Sequence, residues 1–221
     1  MYSDTPGEKL VVKIDVDGVI TDIEKTFKNC IDGDIGDYII EKGYDLDGDP
    51  ESGYRFAGDV CETTGKAYRD DRDLLVPRED DISYSLKSIK NALKTKTGKE
   101  VRVVISTSRE GIDEDDLKKS LESMGIDDGD YDEVRIEDEK WEDCDILIED
   151  NPHQIEAFLV AGDGQIAYHI KNESSRMVYG DRKEIYETGM CEKVDDFSDV
   201  IDSIAGSEVK EYLAEDISAT A

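Results

Sequence analysis

The sequence predicts an α/β protein, a Rossmann-like parallel sheet with crossover helices and an inserted, mainly helical cap subdomain after the first strand. Three observations carry this prediction. Apolar, β-branched runs at residues 10–14, 101–105 and 145–148 alternate with amphipathic helical stretches, as parallel strands alternate with their crossovers. Each run ends in a polar cluster, and ligands of such sheets bind at the carboxyl ends of the strands. The passage between the first two runs is too long for one crossover, so it reads as an insertion.

Taken in order, Leu10, Val11, Val12 and Ile14 have the composition of a buried strand, which ends at Asp15 and Asp17 before Gly18 turns the chain. Strand alternation points both aspartates the same way, and such a pair repels itself unless a cation or a shared proton relieves it. A solvated Asp-Gly turn is the plain alternative. Beyond Asp22, Ile23, Phe27, Ile31, Ile35, Tyr38, Ile39 and Ile40 recur at helical spacing. Residues 44–58 read as a turn-rich passage, followed by a weaker helical stretch at 60–68. Asp45, Asp47 and Asp49 are spaced like the opening of a calcium loop. Pro50 stands where that loop needs glycine, however, and the closing glutamate is missing, so a solvated turn is expected.

Ile82, Leu86, Ile89 and Leu93 mark an amphipathic helix that Gly98 closes. The strand at 101–105 leads into Ser106-Thr107-Ser108-Arg109. A helix over 113–124 with Leu117 and Leu121 inward stops at Gly125, and residues 131–136 read as a short strand. The strand at 145–148 is followed by Glu149-Asp150-Asn151-Pro152-His153, with a helix starting near Pro152. Residues 165–170 suggest a further strand and 197–204 a closing helix. The predicted core domain therefore comprises residues 1–22 and 81–221, and the cap residues 23–80.

Among the 221 residues, 57 acidic side chains face 27 basic ones, a formal charge of -30. That balance argues against binding a nucleic-acid polymer or an anionic membrane. A small phosphorylated partner is allowed, because a metal ion can invert the potential locally. The acid excess is spread along the chain and lysines are few, a pattern that looks like adaptation to high salt. Cys30, Cys61, Cys144 and Cys191 form no Cys-x-x-Cys pair, which suggests reduced thiols and neither a zinc cluster nor a disulfide framework. The first nine residues are polar and no apolar run approaches a membrane span. The expectation is a soluble, cytoplasmic protein of a salt-adapted organism or its virus.

At the strand ends the chain resembles a known family. Asp15-Val-Asp17-Gly18-Val-Ile-Thr-Asp22 is similar to the first motif of the haloacid dehalogenase (HAD) superfamily of phosphohydrolases, and Ser106-Thr107-Ser108-Arg109 to the second. Lys140 falls where a third-motif lysine is expected, and Glu149-Asp150 looks like the acidic fourth motif. The resemblance implies a HAD fold and a catalytic set of Asp15, Asp17, Thr107 and Lys140. Asp15 would attack phosphorus to give an aspartyl-phosphate, and Asp17 would protonate the leaving alkoxide and then activate water, which requires neighbours that let it carry a proton. Mg2+ would be held by Asp15, the Asp17 backbone carbonyl and Asp150, with Glu149 either a further ligand or an orienter of Asp150. Thr107 would donate to a phosphoryl oxygen and Lys140 would balance charge. Gly18, Ser108 and Arg109 are the substrate-binding candidates, although Arg109 is as readily the partner of an acid. Asn151 and His153 could approach the substrate, His153 equally serving as a cap or surface residue.

Within the superfamily, Ile-Leu-Ile-Glu-Asp-Asn-Pro-His-Gln-Ile, the first motif and a helical cap are similar to the 5'(3')-deoxyribonucleotidase group. That similarity implies a nucleoside monophosphate as substrate. Phe27, Tyr38, Tyr44, Tyr54, Phe56 and Tyr68 are the cap aromatics that could stack on a base or simply pack helices. The sequence departs from the group at Glu149, usually aspartate, and at Ser108-Arg109, often Ser-Pro. A sugar phosphate or other small phosphomonoester is the alternative substrate. The alternative of another class is a non-catalytic phosphate-binding or regulatory protein on the same fold.

Overall fold

A computed structural model describes residues 9–46, 49–162, 165–172, 175 and 182–206. Its sheet is built from β1 (Leu10–Asp15), β2 (Val101–Thr107), β3 (Glu133–Ile136), β4 (Ile146–Glu149), β5 (Ile166–Ile170) and β6 (Cys191–Val194). All six pair in parallel, in the order β3-β2-β1-β4-β5-β6. The chain winds outward from β1 in one direction and then returns to wind in the other. β1 therefore lies at the switch point, where doubly wound sheets place their ligands.

Both faces of the sheet are covered. Val12, Ile14, Val103, Ile105, Ile146 and Ile148 pack on one side beneath α4 (Ile82–Thr97), α5 (Glu114–Ser123) and α8 (Phe197–Ala205). Leu147 and Ala167 face the other side, against Ile155 and Phe158 of α6 (Pro152–Ala161) and Ile185 of the short α7 (Glu184–Glu187). This alternation is why the strands read as continuous apolar runs. Asp81, Asp113, Asn151 and Asp196 cap the amino ends of α4, α5, α6 and α8 through their side chains, and Gly98 ends α4 in the left-handed conformation.

The inserted segment forms α1 (Ile23–Ile31), α2 (Ile35–Lys42), α3 (Pro50–Arg69) and a 3-10 turn at Arg72–Leu74. α3 corrects the turn-rich reading of residues 44–58. Asp49 caps it by accepting from the Glu51 amide, and proline occupies its first turn, where no amide is needed. Gly53, Gly58 and Gly65 then lie inside the helix, whose stripe of Ser52, Phe56, Thr64, Ala67 and Tyr68 is buried. Packing thus outweighs the poor helix propensity of glycine. Asp49 is a helix cap, while Asp47 lies outside the described residues. Phe27 meets Tyr38 and Phe56 edge-on at ring separations of 5.2 and 5.9 Å, and Tyr44 meets Phe56 at 5.6 Å. These rings form the small core of the cap. The cap joins the sheet through two adjacent segments, with Asp22 N donating to Val76 O and Arg78 N to Ile20 O, both at 2.8 Å. No helix among the described residues is long and apolar enough to cross a membrane.

Candidate active site

The register brings the polar strand ends together. Asp15 sits opposite Ser106 on β2, and Ile14 opposite Ile148 on β4, so Asp15, Thr107 and Glu149 converge at one edge of the sheet. Past Asp15 the chain turns at Gly18, whose φ is +83°. A Cβ there would lie 2.1 Å from Asp150 Oδ2 and 2.3 Å from Asn172 Nδ2, so only glycine lets the β4 loop close over this turn. Arg78 holds the turn from the cap junction, donating to the carbonyls of Gly18 (2.7 Å), Lys171 (2.5 Å) and Asp195 (3.2 Å).

The floor of the site gathers around Asp15. Lys140 lies buried beneath it, with Nζ 2.5 Å from Asp15 Oδ1 and 2.7 Å from Glu149 Oε2. The other Glu149 oxygen accepts from the amides of Asp150 and Asn151, both at 3.0 Å. Glu149 is therefore tied to Lys140 and to the β4 turn, whatever else it binds. Asp150 Oδ2 accepts from Asn172 Nδ2 at 2.9 Å and from the Ser175 hydroxyl. Burial, then the charge of Glu149, pushes both the Asp15 and Asp150 carboxyls well above the usual carboxylate range, with Lys140 opposing. Burial also disfavours the Lys140 ammonium, but Asp15 and Glu149 outweigh it and hold the lysine charged.

Asp15, Glu149 and Asp150 can each present an oxygen such that all three lie within 4.8 Å of one another. Three buried carboxylates against one ammonium leave an excess of negative charge. A set made only of oxygens with that excess fits a hard divalent cation such as Mg2+. The Asp17 side chain lies outside this trio.

One wall of the site is organised around Asp17. Arg109 grips its carboxylate with two donors, Nε to Oδ2 at 3.0 Å and Nη2 to Oδ1 at 2.7 Å, and the Tyr68 hydroxyl adds a bond of 2.9 Å. Arg109 also stacks over the Tyr68 ring at 4.6 Å and donates to Cys61 O at 2.7 Å, both on α3. Thr107 Oγ1 stands 3.5 Å from Asp17 Oδ2 and accepts from the Arg109 amide at 3.2 Å. Burial alone would raise the Asp17 carboxyl. The charge and bonds of Arg109, with the Tyr68 bond, outweigh burial and hold it below its ordinary value. This corrects the expectation that the neighbours of Asp17 leave it able to carry a proton: here they keep it ionised. Arg109 faces Asp17 and the cap helix while lining the cavity, and Ser108 is exposed at its rim.

Between floor, wall and cap lies a cavity of about 670 Å³, lined among others by Asp15, Asp17, Phe56, Arg69, Arg109 and Asp150. Phe56 is the one cap aromatic from the sequence-derived set that lines it. Asn151 is at its edge and caps α6 by accepting from the His153 amide at 2.9 Å. His153 itself is exposed. Sequence reasoning missed the parts played by Tyr68, Arg78, Asn172 and Ser175. Tyr68 was visible as a cap aromatic, but nothing local signals that its hydroxyl reaches a strand end.

The solved structure of a dehalogenase aligns with TM-score 0.55 and 12% identity over 90% of this chain and 99% of that one. A haloacid dehalogenase-like family hydrolase from Xanthomonas campestris aligns with TM-score 0.53 and 12% identity, over 98% of each chain. The fold is that of the haloacid dehalogenase-like hydrolases. At such low identity the likeness is one of fold. No family model and no curated protein matches the sequence.

Proposed function

We propose that the protein is a Mg2+-dependent phosphomonoester hydrolase that works through an aspartyl-phosphate on Asp15. The observation that carries this reading is the buried Asp15 carboxylate at the end of β1, paired with Lys140 and facing the cavity beside a carboxylate cluster that needs a further cation. Bound there by Asp15 and Asp150, Mg2+ would supply charge neutralisation at the phosphoryl oxygens. An Asp15 oxygen forms the new bond to phosphorus as the bond to the substrate alkoxide breaks. Lys140 holds Asp15 in place and offsets negative charge. Asp17 would stand beside the leaving oxygen. As an ionised group it is ready to take a proton from the water that opens the aspartyl-phosphate and releases phosphate. To donate a proton to the alkoxide in the first step it must first be released by Arg109 and take up a proton from solvent, which the alkoxide then receives.

The nucleoside monophosphate is the substrate that the sequence resemblance implies, and a cavity of about 670 Å³ has room for one. A second reading, a smaller phosphomonoester without a base, is favoured by the cap itself. Phe27, Tyr38, Tyr44 and Phe56 are engaged with one another, and Tyr68 lies under Arg109. The test is hydrolysis by the full chain in Mg2+ and high salt, over nucleoside monophosphates, sugar phosphates, an aryl phosphate and a 2-chloroacid. Turnover of a phosphomonoester, abolished in Asp15→Asn, is the expected result. Equal activity in the variant would sink the nucleophile assignment. Absence of turnover across the panel would favour a binding protein on this fold.

A further inference from the structure

The cavity contains a cation that the proposed chemistry does not use. Arg69, in the last turn of α3, is half-buried and lines the same cavity as Asp15. Its one hydrogen bond is long, from Nη1 to Gly111 O at 3.4 Å, and it forms no ion pair among the described residues. Arg55 and Arg78 also lack a carboxylate among the described residues, but Arg78 donates to three carbonyls and Arg55 lies over the Tyr44 ring, whereas Arg69 has only its one long bond. Arg72, three residues on, has Asp116 at 2.8 Å, Arg109 has Asp17 and Lys140 has Asp15.

The plain reading is a basic residue favouring the carboxyl end of its helix. The direction of the side chain speaks against it. A Cβ placed on Gly65, one turn back along α3, would stand 3.4 Å from Arg69 Nη1 and equally 3.4 Å from Arg109 Nη1. The two guanidinium groups thus converge on one glycine. At Gly111, across the opening, a Cβ would lie 3.2 Å from Arg69 Nη1, and φ is +76°. At both positions glycine leaves the guanidinium without a side chain packed against it. Asp17 answers the charge of Arg109; that of Arg69 is left facing the cavity beside a like charge, an arrangement that a bound anion relieves. Glu62 and Glu110 line this wall too, yet both are exposed and neither pairs with Arg69.

Resting on the phosphohydrolase reading above, we propose that Arg69 binds a second oxyanion, a carboxylate or a second phosphate, on the substrate's leaving group, and so selects doubly acidic small phosphomonoesters. The planar fork of a guanidinium suits either group. Phosphoryl and second anion are then held at opposite parts of one cavity, the first by the Asp15 floor and the second by the cap.

The experiment is calorimetric titration of the full chain in saturating Mg2+ with three non-hydrolysable ligands: 2-carboxyethylphosphonate, ethane-1,2-bisphosphonate and propylphosphonate. The wild type is expected to bind at least one of the doubly acidic ligands about tenfold or more tightly than propylphosphonate, a margin typical of a charge-assisted bond. Which one identifies the second group. In Arg69→Gln that ratio falls to about one, and Arg69→Lys recovers part of it, with thermal melts confirming that both variants fold. Equal affinities in the wild type, or a ratio that survives Arg69→Gln, overturns the proposal, as does failure of all three ligands to bind. A preference for the acidic ligands without turnover of any phosphomonoester would leave the Arg69 assignment standing and remove the hydrolase reading instead.

Discussion

Two carboxylates two residues apart on the same turn have opposite surroundings. Asp15 is buried with Glu149 and Asp150 against one cation, Lys140, and its carboxyl is raised. Asp17 meets one arginine and one phenol, and its carboxyl is lowered. An excess of acid suits a cation and, on the proposed function, the phosphoryl group it would accompany. A balanced pair marks a group held still until something displaces its partner. Residue type is the same at both positions; the neighbours divide the roles.

The sharpest way to break this contrast is by activity. Asp15→Asn is expected to lower turnover of the best phosphomonoester by about a thousandfold or more, as loss of a covalent nucleophile does, measured by initial rates in Mg2+. Next in size is the cation of the floor. Lys140→Met leaves Asp15 and Glu149 buried without it and is expected to destabilise the metal-free protein by about 3–5 kcal/mol in urea unfolding, with Mg2+ recovering part. On the wall, Arg109→Gln is expected to remove about 1–3 kcal/mol near neutral pH, since Asp17 keeps Tyr68 and is partly exposed. Because the folded Asp17 carboxyl lies below its unfolded value, this contribution is present above about pH 4 and is lost as pH falls through the folded value. Wild type and variant should therefore converge in strong acid.

The last effect has the opposite sign. Asp15 and Asp150 are raised in the folded protein, so above about pH 4 the unfolded chain releases their protons first. Metal-free stability should then decline with rising pH, by at most about 1.4 kcal/mol per unit for each group, and saturating Mg2+ should flatten the decline. A metal-free profile that rises instead would show that the floor is not short of a cation.

Much of this was legible in local pattern. The buried strands at 10–14, 101–105 and 145–148 announced themselves as apolar runs, and their polar ends fell where the sheet register later joined them. β6 was not legible, because Cys191–Val194 is a four-residue edge strand with Glu192 and Lys193 exposed. α3 was misread at its start because glycine, serine and proline are turn residues unless a cap and a buried stripe overrule them. The cap aromatics were visible as residues, but their mutual packing was not.

What the sequence determined by itself is the order of strands and helices and the presence of acids and hydroxyls at strand ends, since period and turn chemistry are properties of neighbours along the chain. Only the tertiary structure decided which charges meet. Lys140 reaches Asp15 across 125 positions and Arg109 reaches Asp17 across 92. Arg69, alone among these cavity cations, is brought to the site with no acid to meet it among the described residues. Pairings of that kind depend on how the sheet and cap close on each other, and the energies that set the protonation of Asp15 and Asp17 come from burial and charge created at that closure.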